Sequence, residues 1–458
     1  MSRAKDFYKI IFLLAGDAGL IILSFTLAIF IRFGYLSNVV DYYTGATVFI
    51  LFAYLISFYV FQLYNIEIRF RSTAFLAEYI TGVAIGTAVI MVIFYIFPHW
   101  KMGRGILLIN AFFVFYLCLG WRIILQSGFK RLYKKNKIVI VGAGYAGRTI
   151  FHIIKSSDRF SVQGFIDDDP QKIESKIEGI MVLGSSEMLH TFCRETSIDS
   201  IVVAITNEKR RDLLNALLEC KMAGIEIYDM QTLYEELTGK LPVNYLREGW
   251  LVYSSLHGIQ RNIYTIRVKR VIDFAVSVLA LLVLLPLILV TAVVIRLSSK
   301  GPVFFIQERV GKNGKVFKII KFRSMVADAE PEGTAVYAKE NDPRVTAFGK
   351  ILRKLRIDEI PQIWNVLRGD MSFIGPRPER PEFVEGLERE IKFYSLRHSV
   401  PPGITGWAQI NYRYGASKED ALEKLQYDLY YVKNCSFLLD IHILLMTIRV
   451  VLFGKGAR

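Results

Sequence analysis

The chain has 458 residues, 53% of them hydrophobic and 13% aromatic, and a formal net charge of +15. Its length leaves room for about three domains, and its apolar content exceeds what a soluble globular chain needs, which excludes a simple soluble protein. The basic balance coincides with long apolar stretches, so anionic lipid headgroups and phosphorylated small molecules are the expected partners and nucleic acid is not.

Apolar segments near Tyr8–Ile31, Thr44–Leu63, Phe75–Phe97 and Gly105–Gln126 each run about 20 residues, enough to cross a hydrocarbon core about 30 Å thick. They predict a four-helix transmembrane region over residues 1–130. The first carries Asp17 and has no small-residue cleavage site before Arg32, unlike a cleaved signal peptide. Arg3, Lys5 and Lys9 precede it, Arg69 and Arg71 lie between the second and third segments, and Lys130, Arg131, Lys134, Lys135 and Lys137 follow the fourth. The other two loops hold only Arg32 in one and Lys101 and Arg104 in the other, so both ends of the bundle are expected on the cytoplasmic side. Asp17 and Arg32 are ionisable residues in or at the end of a span, which makes them either functional or a structural pairing within the bundle. Cys118, Cys193, Cys220 and Cys435 have no paired or metal-ligand spacing, as expected of free thiols in a reducing compartment.

Residues 136–240 read as a Rossmann-like α/β module. Lys137-Ile-Val-Ile-Val-Gly142-Ala-Gly144-Tyr-Ala-Gly147-Arg148 is a buried-type strand and a glycine-rich turn opening a helix, the context a dinucleotide fingerprint needs. A second strand ends near Gly164-Phe-Ile-Asp167, where a ribose-binding acid is expected, and a third is Ser200-Ile-Val-Val-Ala-Ile. Gly142, Gly144, Gly147 and Asp167 are the candidate nucleotide ligands, although glycines also allow tight strand-to-helix packing.

Val271–Ile295 is a further apolar segment with Pro286 inside and cations at both ends: Lys269 and Arg270, then Arg296 and Lys300. Basic flanks place both ends in the cytoplasm, and proline removes a helical hydrogen bond and clashes with the preceding turn. A re-entrant helix–break–helix over 268–298 is predicted, with a fifth crossing as the alternative. Gly301–Met325 reads as two strands around a Gly311-Lys-Asn-Gly314 turn, ending in Lys321 and Arg323, cations that either face phosphate or line a solvated edge.

The chemistry concentrates between Arg353 and Arg377. Asp358-Glu359 lies just before Pro361, which suits the first turn of a helix, with Arg353, Lys354 and Arg356 upstream and Arg377 downstream. Acids at a positively polarised helix start, flanked by cations, suit phosphoryl transfer or a solvated cap. Asp420–Lys433 has helical spacing. Phe437–Phe453 is apolar but interrupted by Asp440, His442 and Arg449, as in an amphipathic helix on a membrane surface.

Several motifs recur in order: Lys269-Arg270-Val-Ile-Asp273, Gly301-Pro302-Val-Phe-Phe-Ile-Gln307, Arg309-Val-Gly311, Lys321-Phe-Arg323-Ser-Met, Asp358-Glu359-Ile-Pro361-Gln362, Gly369-Asp370-Met-Ser, Gly375-Pro376-Arg377-Pro378 and Pro402-Gly403-Ile-Thr-Gly406-Trp407. On these motifs residues 264–458 resemble the catalytic domain of monotopic phosphoglycosyl transferases. The whole chain resembles the large exopolysaccharide-type members of that family of bacterial sugar transferases.

The resemblance implies transfer of a sugar-1-phosphate from a UDP-sugar to polyprenyl (undecaprenyl) phosphate, with release of UMP, at the cytoplasmic face of a bacterial inner membrane. It implies Asp358 as nucleophile, Glu359 with Asp358 as holders of Mg²⁺, and Arg353 on phosphate. Lys321, Arg323, Arg377, Pro378, Lys269, Arg270 and Asp428 are the implied substrate-binding residues. It also implies the re-entrant helix, although the family commonly has Ser where this chain has Leu285. A homodimer is a further possibility. Two other readings are a membrane-anchored nucleotide-sugar dehydratase or epimerase, which needs a Tyr-x-x-x-Lys pair in the same Rossmann unit, whereas Tyr414 and Lys418, which have that spacing, lie far downstream of Gly142, and a non-catalytic scaffold of a polysaccharide export complex.

Overall fold

The computed structural model describes the chain apart from residues 1, 35–43, 65–72, 98–102, 133–134, 158, 190, 193–196, 206–210, 247–255, 259–262, 327–341, 413–414, 416 and 453–458. Arg69, Arg71, Lys101, Lys134, Cys193 and Tyr414 therefore lie outside the described residues. The chain divides into two compact units, Met1–Lys135 and Asn136–Arg458.

The first unit contains helices α1 (Ser2–Phe33), α2 (Thr44–Val60), α3 (Thr73–Ile96) and α4 (Arg104–Leu132). α1, α3 and α4 are long and apolar enough to cross a membrane, and α2 contains the shorter apolar helix Gly45–Val60. In this bundle Asp17 pairs with Arg122 on α4, not with Arg32. The guanidinium donates from Nη1 to Asp17 Oδ1 at 2.7 Å and from Nη2 to Oδ2 at 2.6 Å. Its flat face lies 5.0 Å from the Phe58 ring and 5.5 Å from that of Tyr79. A fork-to-fork pair clasped by aromatic faces supplies the polar partners that hydrocarbon cannot.

The second unit begins with a six-stranded sheet in the order β3-β4-β2-β1-β5-β6. Its strands are β1 (Asn136–Val141), β2 (Phe160–Ile166), β3 (Lys176–Ile177), β4 (Ile180–Gly184), β5 (Ser200–Val203) and β6 (Glu226–Asp229), interleaved with α5 (Tyr145–Ser156), α6 (Arg211–Met222) and α7 (Met230–Thr238). β1 runs parallel to both β2 and β5. Successive strand residues point to opposite faces. Ile138 and Ile140 accordingly pack with Ile150, Phe151 and Leu233, and Val139 and Val141 with Leu213 and Leu217. Helices cover both faces of a sheet that is parallel except for β3, which explains the uninterrupted apolar run of β1.

There follow α8 (Lys269–Ser298), the antiparallel ribbon β7 (Phe304–Val310) and β8 (Val316–Phe322), α9 (Ala347–Lys354) and α10 (Gln362–Arg368). The parallel pair β9 (Ser372–Ile374) and β10 (Gly403–Thr405), with α11 (Pro381–Glu390), α12 (Trp407–Asn411), α13 (Lys418–Asn434) and α14 (Phe437–Leu452), completes the unit. The break expected at Pro286 does not interrupt α8, which is one helix of 30 residues with the proline inside it. The missing N–H affects a single turn, and apolar helices tolerate proline where local adjustment re-satisfies the freed carbonyl. Its buried residues fall at the two ends, Lys269, Asp273 and Ser277 near the start and Thr291 and Ile295 near the finish. Between them Leu282, Val283 and Leu285 are exposed.

Both ends of α8 are bonded into the fold that follows it. Lys269 Nζ pairs with Asp440 Oδ2 of α14 at 2.5 Å and donates to Tyr431 Oη at 3.2 Å. Arg270 donates to the Val366 and Leu367 carbonyls at the end of α10. At the far end Ile295 packs with Phe322 and Leu352, and Arg323 donates to the Ser299 and Lys300 carbonyls at 2.8 and 3.0 Å.

The sheet is joined to this fold through α13. Tyr234 donates to Gln426 Oε1 at 2.9 Å, Lys433 and Asn434 both reach Glu235, and Lys240 pairs with Glu423. Trp407 donates from Nε1 to the Gly239 carbonyl at 2.8 Å. Ser417 and Asp420 form a reciprocal capping box at the start of α13, which fixes its entry.

Candidate active site

Asp358 and Glu359 sit on a single 3₁₀ turn, Ile357–Glu359, rather than on the helix predicted to hold them; α10 starts after Pro361. Arg356 enters the turn in the left-handed region at φ 57°. That conformation is costly for a residue with a Cβ and marks a locally strained approach. Both acids are buried, with 9% and 8% of their surface exposed.

Their environments differ. Glu359 Oε1 accepts from Arg377 Nη2 at 2.7 Å and Lys321 Nζ at 3.3 Å, and Arg356 lies 3.8 Å from Oε2. Burial disfavours its charge, but Arg377, Lys321 and Arg356 together hold its carboxyl well below the usual carboxylate range. Asp358 Oδ1 is buried and has no hydrogen-bond partner among the described residues. Burial and the neighbouring Glu359 charge push its carboxyl up, against the pull of Lys321, Arg353 and Arg356. Burial lowers the Lys321 ammonium, with Arg377 and Arg309 pushing the same way and Glu359 opposing. A buried carboxylate oxygen left without a partner and facing Lys321, Arg353 and Arg356 suits a ligand or a reacting atom.

Each cation is delivered by its own element. Lys321 ends β8, which is pinned to α10 by Asn365: Oδ1 accepts from Ile320 N at 3.1 Å and Nδ2 donates to Lys318 O at 2.8 Å. Arg353 ends α9, whose N-terminus Thr346 caps by accepting from Gly349 N at 2.9 Å, and its Nε donates to Ser324 Oγ at 2.9 Å. Arg377 follows β9. There a Cβ on Gly375 would lie 2.3 Å from Pro401 O, and one on Gly406 would lie 2.1 Å from Gly375 O. These glycines let two backbones cross in contact, which explains the Gly-Pro-Arg-Pro and Pro-Gly-x-x-Gly motifs in physical terms. Arg309 donates to the Pro378 carbonyl at 3.1 Å and steadies the other side of the loop.

Asp358, Glu359, Arg353, Lys321 and Arg377 are thus brought together, with Pro378 shaping the loop beside them. Lys269, Arg270 and Arg323 are placed otherwise: Lys269 is committed to Asp440, Arg270 caps α10 and Arg323 caps α8. Asp428 is buried in an ion pair with Arg397 at 2.7 Å. Sequence reasoning passed over Asn365 and Arg397 and read Asp440 only as an interruption of an apolar segment. The first could have been suspected from a polar residue inside an apolar helical run; the other two depend on partners far along the chain.

In the sheet, Gly142 has φ +108° and a Cβ there would lie 3.0 Å from Ala204 O, while one on Gly147 would lie 1.9 Å from Gly142 O. Both glycines are explained by packing, and Gly144 faces open space. Asp167 is tied to the same turn. Its Oδ2 accepts from Ala143 N at 2.7 Å, and Lys172 lies 3.3 Å from Oδ1.

A group of three or more His, Cys, Asp or Glu side chains able to hold a metal does not occur among the described residues. Magnesium is commonly held by one or two carboxylates together with substrate phosphates and water. The Asp358-Glu359 pair, with the unpartnered Asp358 Oδ1, fits that mode.

Residues 264–454 match the bacterial sugar transferase family, and residues 59–230 match a CoA-binding domain family. The chain is similar to the UDP-glucose:undecaprenyl-phosphate glucose-1-phosphate transferase of Klebsiella pneumoniae, 34% identical over 73% of this chain and 71% of that protein. It is also similar to the enzyme so described in Xanthomonas campestris pv. campestris, 33% identical over 70% of this chain and 68% of that one. A third relative is the UDP-N-acetylgalactosamine-undecaprenyl-phosphate N-acetylgalactosaminephosphotransferase of Aeromonas hydrophila, 48% identical over 53% of this chain and 56% of that protein. The match thus spans little more than half the length of that last relative. The chain belongs to the bacterial sugar transferase family.

Proposed function

We propose that the protein transfers a sugar-1-phosphate from a UDP-sugar to undecaprenyl phosphate and so starts a lipid-linked surface glycan. The observation that carries the reading is the asymmetry of the acid pair: Glu359 is locked among cations, while Asp358 keeps a buried oxygen without a partner. In the first step Asp358 attacks the sugar-bearing phosphorus, a P–O bond to Asp358 forms and the pyrophosphate P–O bond breaks, and UMP leaves with that electron pair. In the second, a lipid phosphate oxygen attacks the same phosphorus, the bond to Asp358 breaks, and polyprenyl diphosphate-sugar is released. Arg377, Lys321 and Arg353 supply fixed positive charge where negative charge develops, with the planar arginines suited to bidentate phosphate contacts. Mg²⁺ held by Glu359 and Asp358 would neutralise the pyrophosphate and favour departure of UMP.

The acceptor enters from the membrane side. A straight helix of 30 residues is about 45 Å long, yet both ends of α8 bond to the same catalytic fold, while apolar side chains stand exposed along the helix from Val271 to Leu297. This supports a re-entrant α8 that bends near Pro286, keeps the catalytic fold on the cytoplasmic face of the inner membrane, and meets anionic headgroups with its basic flanks. The sheet is read as a Rossmann-like module, with its glycine turn and Asp167 serving internal packing. Lys418 begins α13 and pairs with Glu390 at 2.8 Å, outside that module, which weighs against a dehydratase or epimerase.

The test is UMP release from a panel of UDP-sugars with Mg²⁺, using wild type and Asp358→Asn, with and without undecaprenyl phosphate. A stoichiometric burst without lipid, absent from the variant and converted to turnover by lipid, is expected. Release only in the presence of lipid would point to direct transfer, and no release under any condition would overturn the reading.

A further inference from the structure

Arg377 reaches Glu359 from a loop, and a loop arginine reaches a fixed point only if its backbone is fixed. Prolines on both sides restrict φ, and the crossing at Gly375 holds the segment before it. The carbonyl of Arg377 itself is held by one long side chain. Arg397 Nη2 donates to Arg377 O at 3.0 Å, while Nη1 donates to Tyr394 Oη at 2.6 Å and the guanidinium pairs with Asp428 Oδ2 at 2.7 Å. Arg397 is 4% exposed and packs over the Tyr394 ring with its centre 5.1 Å away. It spans a 3₁₀ segment, Tyr394–Ser399, a helix, α13, and the Arg377 loop.

We propose that Arg397 is a positioning residue for the transfer reaction: clamped between Asp428 and Tyr394, it fixes the Arg377 backbone and thereby aims the Arg377 guanidinium at Glu359 and the substrate phosphates. The two terminal nitrogens of the planar fork reach Tyr394 and the Arg377 carbonyl separately while the charge faces Asp428, whereas a lysine has a single nitrogen and cannot stand in both places. Asp428 and Tyr394 act through Arg397, so the acid that resembled a substrate ligand in sequence works at one remove. The clamp is anchored outside the catalytic fold as well. α13, which carries Asp428, is the helix gripped by Tyr234 and Glu235 of α7, which packs on the α/β sheet, and by Lys240 just beyond it. The sheet thus has a mechanical route to the site without contributing a residue to it.

The inference rests on the transfer reading above, and a double-mutant cycle separates the two. Full-length wild type, Arg377→Met, Arg397→Met and the double variant are compared for UMP release from the productive UDP-sugar, with thermal unfolding followed in parallel. A misplacement of about 1 Å costs roughly 100-fold in rate, so Arg397→Met should lose that much in the wild-type background and almost nothing further once Arg377 is gone. Arg397→Lys, which keeps a charge for Asp428 but not the three-way clamp, should melt close to wild type and still lose about tenfold in kcat/KM; it also covers the case in which Arg397→Met does not fold. Losses that multiply in the double variant, or an Arg397→Lys whose activity falls only as far as its stability, would overturn the proposal while leaving the transfer reading intact. A wild type that releases no UMP would remove both.

Discussion

Two of the carboxylates that the protein buries beside arginines serve opposite ends. In the membrane bundle each oxygen of Asp17 meets one nitrogen of Arg122, and aromatic rings close over the pair. At the Ile357–Glu359 turn two adjacent acids share a ring of cations unequally, and Asp358 Oδ1 is left without a hydrogen-bond partner among the described residues. A buried carboxylate with both oxygens matched joins helices, whereas one held in place with an oxygen unmatched is ready for a ligand. The contrast separates a joint from a site without reference to any relative.

Substitutions should break the two regions differently. Asp358→Asn should abolish the lipid-independent burst and reduce turnover by roughly 10⁴-fold or more, as loss of a covalent nucleophile does, with little change in thermal stability. Arg122→Met leaves the Asp17 carboxylate buried and unpaired, at a cost of about 3–5 kcal/mol; unfolding in detergent should register it, while the folded fraction keeps wild-type kcat. The paired replacement of Asp17 by Leu and Arg122 by Met should recover most of that stability, because no orphaned charge remains. Arg377→Met should reduce kcat/KM by roughly 10²–10³-fold, the loss typical of one fixed charge at a developing anion.

The smallest effect concerns pH. In the proposed transfer Asp358 attacks in its ionised form, and its carboxyl lies above the usual range, so UMP release should rise with pH along an acid limb set by that group. Lys321 favours the ionised form, so Lys321→Met should move the limb to higher pH. A limb that moves to lower pH, or stays in place, would show that another group controls it.

Much of the site was legible because its chemistry is local in the chain. Asp358, Glu359, Arg353 and Arg377 lie within one short stretch, and Pro361 and the Gly-Pro-Arg-Pro motif announced the turns that carry them. The strand–glycine–helix opening of the sheet was legible for the same reason, since period and punctuation change within a dozen residues. The roles of the remaining cations were not. Lys269, Arg270 and Arg323 look alike in sequence, but Asp440, the end of α10 and the end of α8 claim them, and each of those partners is defined only by tertiary packing. Pro286 shows the converse limit: a strong local signal for a break did not end the helix, because removing one hydrogen bond does not outweigh the bonds around it.

The central claim is that Asp358 becomes covalently attached to the phosphosugar. The direct measurement is intact and peptide mass spectrometry of detergent-solubilised wild type mixed with UDP-sugar and Mg²⁺ in the absence of lipid. An added sugar phosphate is expected on the peptide containing Asp358, lost on addition of undecaprenyl phosphate and absent from Asp358→Asn. An unmodified peptide from protein that makes lipid-linked sugar under the same conditions plus lipid would contradict it.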